Sequence, residues 1–303
     1  MVTAVELSGL TLKNPLIAAS GTFGFGEEMA ELYDLNCIGG ISVKGTTKSA
    51  RFGNPTPRIA ECPAGMLNAV GLQNPGIREV CAHALPSLRQ RYQGVILANI
   101  GGFSLDEYAE CCAEADREPS VDLIELNISC PNVHDGGMSF GTSAAAAEAV
   151  TAAARRATKK PLYVKLTPNV TDIAEIAKAC EAGGADGLSL INTVLGMRID
   201  VARRRPVLAN RTGGLSGPAI LPIAVRCIWQ VYEAVSIPLI GMGGVKTAKD
   251  VLELMLAGAR AVQVGAATLL DPFALRDLAA ALPEEMERYG IRDINEIVGG
   301  AHR

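Results

Sequence analysis

"VDLIELNIS", residues 121–129, is apolar along most of its length instead of alternating between apolar and polar. Strict alternation marks a strand with one wet face, whereas a near-continuous run marks a parallel strand covered on both faces. The flanks agree with this reading. Before the run lies "SLDEYAECCAEADRE" (104–118) and after it "TSAAAAEAVTAAARRATKK" (142–160), both with helical periodicity and with Ser or Thr where an N-cap is wanted. Next comes a second apolar run, "PLYVKLTPN" (161–169).

Working outward, the same unit recurs along the chain. Apolar runs stand at "PLIAAS" (15–20), "GGISVKG" (39–45), "GVILANIGG" (94–102), "GADGLSLINT" (184–193), "IPLIGMGG" (237–244) and "RAVQVGAAT" (260–268). Further amphipathic segments are "TDIAEIAKACEAG" (171–183) and "TAKDVLELMLAGA" (247–259). Eight strands alternating with helices over 303 residues predict α/β architecture, a single (β/α)8 TIM barrel domain spanning 1–303. The alternative is an open doubly wound sheet, but its G-x-G-x-x-G fingerprint is missing. "VELSGLTLKN" predicts a small N-terminal hairpin across the N-terminal mouth of the barrel.

Composition narrows the function. A formal net charge of −4 leaves no broad basic surface for phosphate contacts, so a nucleic-acid partner is not expected. No apolar run approaches the ~20 residues that span a bilayer, and the first strand begins too early to leave room for a targeting segment. The eight cysteines include no C-x-x-C pair and the three histidines no H-x-x-x-H spacing, so no metal site is expected. Scattered thiols of this kind read as reduced, in a cytoplasmic protein.

Barrel chemistry sits at the C-terminal ends of the strands. Those ends carry Ser20 and Gly21, Lys44, Asn99, Asn127 with Cys130, Lys165, Asn192 with Thr193, Gly243 with Gly244, and Gly265 with Ala266. Lysines ending apolar strands need an anionic or acceptor-rich partner, unless the stem simply snorkels to solvent. The paired glycines after the last two strands suit a phosphate held on backbone N–H groups, although glycine also serves any tight turn. Two long connections, 45–75 and 196–218, together with "PNVHDGGMSFG" (131–141), read as binding loops or lids, and the arginine run 203–205 as a solvated loop.

Taken together, "SGTFGFG", "SVKGTT", "NAVGLQNPG", "ELNISCPNV", "VKLTPN", "LINT", "GGLSGP" and "GMGG" resemble the class 1 dihydroorotate dehydrogenases, flavin enzymes of pyrimidine synthesis. "SGTFGFG" and the ending "ERYGIRDINEIVGG" resemble subtype 1B most, the catalytic subunit of the NAD-linked form. The resemblance implies oxidation of dihydroorotate to orotate, with Cys130 as the base that removes the C5 proton while hydride passes from C6 to FMN N5. A thiol suits that role, because its ordinary pKa of ~8.5 lies nearer neutrality than that of a hydroxyl.

By the same resemblance, substrate contacts fall to Lys44, Asn68, Gly71, Leu72, Asn127, Asn132, Asn192 and Thr193. Amides suit a cyclic imide-like ring because they present donors and acceptors side by side. FMN contacts fall to Ala19, Ser20, Gly21, Lys44, Gly45, Asn99, Asn127, Lys165 and Ile191. The phosphate falls to Gly217, Gly243, Gly244, Gly265 and Ala266. The family also implies a partner subunit carrying FAD and a [2Fe–2S] cluster, docked on a homodimer of this chain as a heterotetramer and passing electrons to NAD. Alternatives are a fumarate-linked class 1A enzyme, a relative acting on another dihydropyrimidine, an aldolase using Lys165 as a Schiff base, and a flavin-free binding subunit.

Overall fold

The computed structural model describes residues 1–129 and 140–302. Eight parallel strands close into a barrel: β3 (Leu16–Ala18), β4 (Gly40–Ser42), β7 (Val95–Ile100), β8 (Leu123–Asn127), β9 (Leu162–Lys165), β10 (Gly187–Leu190), β15 (Leu239–Met242) and β16 (Ala259–Val264), with β16 pairing back onto β3. Every one falls inside an apolar run of the sequence or within a residue of it. Strands β7, β8, β9 and β10 are buried at all positions, the reason their sequences do not alternate.

Some outer helices begin where a side chain supplies an acceptor, whereas Ala144–Ala157, Leu221–Ala234 and Ala274–Arg288 have no side-chain cap. Ser104 accepts from Glu107 N at the start of Leu105–Arg117, and Thr247 forms a reciprocal capping box with Asp250 before Ala248–Leu256. Two starts differ from the sequence reading by one residue. Thr142 is taken up in a 3₁₀ turn, so Ser143 precedes helix Ala144–Ala157; Asp172, not Thr171, caps Ile173–Ala182, its carboxylate accepting from Ala174 N at 2.9 Å.

The N-terminal hairpin pairs β1 (Val5–Leu7) with β2 (Leu10–Leu12). Ser8 at its turn meets the Tyr163 hydroxyl at 3.1 Å and donates to Asp186 O at 3.4 Å, at the N-terminal ends of β9 and β10. The hairpin therefore seals the end of the barrel opposite the strand C-termini.

The two long connections contain most of the remaining strands. β5 (Ile59–Cys62) and β6 (Gly65–Asn68) come from the first connection; β11 (Val194–Met197), at the start of the second, and β14 (Thr212–Ser216) complete an antiparallel sheet of order β11–β14–β6–β5. Small β12 (Ile199–Asp200) pairs with β13 (Arg205–Pro206), and the arginine run 203–205 is exposed there. The two long connections thus form a wall over the C-terminal mouth of the barrel; of the third expected lid, 131–141, residues 131–139 lie outside the described residues.

Candidate active site

A cavity of about 870 Å³ opens at that mouth. Its size lies within the range of small-molecule and cofactor sites. The barrel contributes Ala19, Ser20 and Gly21 after β3, Lys44 and Gly45 after β4, Asn99 on β7, Asn127 on β8, Lys165 on β9, and Ile191, Asn192 and Thr193 after β10. The antiparallel sheet and its approaches add Asn68, Gly71, Leu72 and Gly217, and the last two βα turns add Gly243, Gly244, Gly265 and Ala266. The cavity thus brings together all the residues singled out in the sequence that fall among the described ones. Cys130 and Asn132 lie outside the described residues.

The amides are held by neighbours. Ser129 donates its hydroxyl to Asn127 Oδ1 at 2.6 Å and its N–H to the same oxygen at 3.2 Å, while Tyr108 Oη donates to Asn127 O at 2.7 Å. Asn192 Nδ2 donates in turn to Ser129 Oγ, and Asn192 Oδ1 accepts from Thr193 N at 2.8 Å. Asn68 Nδ2 reaches Gly214 O at 3.4 Å across the β6–β14 pairing. Asn74, in contrast, is a scaffold residue: it accepts from Gly76 N at 2.9 Å and donates to Leu72 O at 2.7 Å. That last bond helps hold Leu72 at a φ of 55°, a backbone region that γ-branched residues seldom occupy.

Close backbone approach is built in at two glycines. A Cβ on Gly45 would stand 2.8 Å from Asn99 Oδ1, and one on Gly244, whose φ is +80°, would stand 2.6 Å from the Leu221 backbone nitrogen. Gly265 precedes the short helix Ala266–Leu270 without a side-chain cap.

One layer beneath these groups lies a feature the sequence reading missed. Glu125 on β8 is fully buried and accepts four hydrogen bonds: Ser42 Oγ at 2.8 Å and Asn99 Nδ2 at 2.6 Å on Oε2, Ser189 Oγ at 2.7 Å and Gln263 Nε2 at 2.6 Å on Oε1. Burial pushes this carboxyl upward, but the Lys165 charge and the hydroxyl and amide donors outweigh it and hold it below the usual carboxylate range. The signal was present at a period of two, which places Ser42 below Lys44, Glu125 below Asn127, Ser189 below Ile191 and Gln263 below Gly265 on the same barrel face.

The donor set fits FMN. Asn99 Oδ1 and Gln263 Oε1 are buried at the cavity without a hydrogen-bond partner among the described residues, as acceptors for the N–H and O–H groups of a ligand such as FMN would be. At the last two βα turns, Gly243, Gly244 and Gly265 line the cavity with bare backbone, and Gly265 leads into helix Ala266–Leu270 without a side-chain cap, a setting that suits a phosphate held on N–H groups. No cluster of three or more metal-ligating side chains occurs among the described residues.

A parallel barrel whose mouth combines two lysines, several amides and glycine turns defines a class of enzymes that bind a phosphorylated cofactor beside a small polar substrate. A profile of the dihydroorotate dehydrogenase family matches residues 2–286, and the chain belongs to that family. It is 55% identical over 296 residues to the "Dihydroorotate dehydrogenase B (NAD(+)), catalytic subunit" of Geobacillus sp. (strain WCH70), covering 98% of this chain and 94% of the relative. The protein of the same description from Enterococcus faecalis (strain ATCC 700802 / V583) is 55% identical over 295 residues, covering 97% and 95%. That of Oceanobacillus iheyensis (strain DSM 14371) is 52% identical over 298 residues, covering 98% of each.

Proposed function

We propose that this chain, as one FMN-binding barrel domain, oxidises dihydroorotate to orotate in pyrimidine biosynthesis as the catalytic subunit of an NAD-linked enzyme. The observation that carries the reading is the single cavity into which both sets of described residues converge, those assigned to substrate and those assigned to cofactor. FMN, when bound, supplies the acceptor for the hydride leaving C6.

The chain's own residues do the rest. Asn68, Asn127, Asn192 and Thr193, with Asn132, present amides and a hydroxyl to the substrate ring; Lys44, Gly71 and Leu72 complete its surroundings. Asn127 is prepared for this by Ser129, which occupies its carbonyl oxygen and leaves its N–H groups for a ligand. Cys130 follows Ser129 directly in sequence and takes the C5 proton. Lys165 faces the site from β9 with 5% exposure, where a positive charge acts in a poorly solvated setting and stabilises negative charge on the reduced cofactor. Gly217, Gly243, Gly244, Gly265 and Ala266 hold the phosphate.

Electrons leave through a second subunit carrying FAD and a [2Fe–2S] cluster, docked on a dimer of this chain as a heterotetramer in the cytoplasm. The names of the relatives support a partner, since each is called a catalytic subunit linked to NAD(+). No helix among the described residues is long and apolar enough to cross a membrane.

The test is anaerobic. The purified chain should be yellow, hold about one FMN and bleach on addition of dihydroorotate, with NAD reoxidising it efficiently only when the partner is added. A folded, colourless protein that takes up no FMN overturns the cofactor reading. Efficient reoxidation by fumarate assigns the chain to the fumarate-linked type.

A further inference from the structure

Glu125 is unusual because it is charged, has no exposed surface and is not itself among the residues assigned to substrate or cofactor, although it holds one of them, Asn99, directly. Its four hydrogen-bond donors come from four different strands, β4, β7, β10 and β16, so with its own β8 the carboxylate ties five of the barrel's eight staves together at one point. An ionised carboxylate only accepts, and both of its oxygens here are used twice.

That has a consequence for the two amides. Asn99 and Gln263 must each offer NH₂ to Glu125, which turns their carbonyl oxygens away from it; among the described residues those oxygens are the two buried acceptors at the cavity without a protein partner. The register places Asn99 directly opposite Glu125, and Lys165 opposite both Asn127 and Ser189. The ammonium and the carboxylate thus belong to adjoining strands at adjoining levels.

We propose that Glu125 is the positioning residue of the flavin site: it fixes Asn99 and Gln263 as acceptors for the polar hydrogens of FMN, its ring N3–H and ribityl hydroxyls, and offsets the charge of Lys165. The proposal rests on the FMN reading above. Without the carboxylate, either amide can rotate to satisfy itself elsewhere, and Lys165 acts on the reduced cofactor unopposed.

The experiment compares Glu125→Gln with the wild type after each has been stripped of flavin, using fluorescence titration with FMN and redox titration of the reloaded protein. The variant should bind FMN at least tenfold more weakly. Its flavin equilibrium should shift at least tenfold toward the reduced form, about 30 mV for a two-electron couple. Affinity and potential both within twofold of wild type overturn the proposal. A weaker affinity with an unmoved potential assigns Glu125 a merely structural role and overturns it too. If the wild type itself takes up no FMN, the cofactor reading fails first and this inference with it. Should Glu125→Gln not fold, Gln263→Met carries the test: it removes one acceptor while keeping the carboxylate. It should cost at least fivefold in FMN affinity at a near-normal melting temperature, and unchanged affinity overturns the proposal.

Discussion

Ser129 gives both of its hydrogen atoms to one acceptor, Asn127 Oδ1, at 2.6 Å from the hydroxyl and 3.2 Å from the backbone N–H. The orientation of Asn127 is therefore set by a residue that is not among those expected to touch substrate. Ser129→Ala removes the hydroxyl bond and the landing point of Asn192 Nδ2 at once. Each such bond is worth about 0.5–1.5 kcal/mol, so losing both should lower orotate affinity by roughly 5- to 150-fold with FMN still bound. Spectral titration with orotate measures this, and an affinity within twofold of wild type would separate the serine from the amide network.

Cys130→Ala should retain FMN and most of the orotate affinity while flavin reduction slows by ~10² or more, the scale of a lost general base. Cys130→Ser should lie between the two or nearer Ala at neutral pH. Rapid-mixing anaerobic reduction by dihydroorotate gives the rates; near-normal reduction in the alanine variant would move the proton to another group.

Gly244→Ala places a Cβ 2.6 Å from the Leu221 nitrogen on a backbone at φ +80°. Rigid main chain cannot yield as a flexible side chain can, so the turn itself must shift, at about 1–3 kcal/mol. Both the melting temperature and FMN affinity should drop, whereas Gly290→Ala, also at positive φ but with open space around it and not lining the cavity, should lower only the former. Equal FMN affinity in the Gly244 variant would remove this turn from the phosphate site.

Glu125 also predicts an acid limb. Its folded pKa is held below the unfolded value of about 4.3, so its contribution to stability is complete above that value and is lost as pH falls through the folded pKa. Denaturant midpoints for the wild type should therefore decline below about pH 4, with Glu125→Gln less stable at neutrality but flatter across that window. Parallel declines in the two proteins would assign the acid limb to other carboxylates.

The barrel was legible because strands buried on both faces write continuous apolar runs, and β7 to β10 do so in full. Residues at strand ends were legible because a lysine or amide closing such a run has few purely structural uses. The antiparallel wall was not. β14 reads "TGGLS", with two glycines that weaken any strand propensity, and it forms because Asn68 and Gly214 meet from positions 146 residues apart. Glu125 and Gln263 were hidden for a related reason: each sits in one strand, but the partners that explain it sit in others. Single polar residues within apolar runs acquire meaning only once barrel closure sets them side by side.

That wall and that closure also set the order in which the protein can be made. Strand β16 supplies the final stave, and Gly265 and Ala266 follow it, so none of the earlier segments can complete the cavity, with its proposed phosphate end, by themselves. A ribosome that has finished β14 has delivered both halves of the wall, yet the site still lacks its last side. On the proposed reading flavin is a late passenger, captured only once roughly the first 266 residues have left the exit tunnel, and until then β3 waits with one edge unpaired.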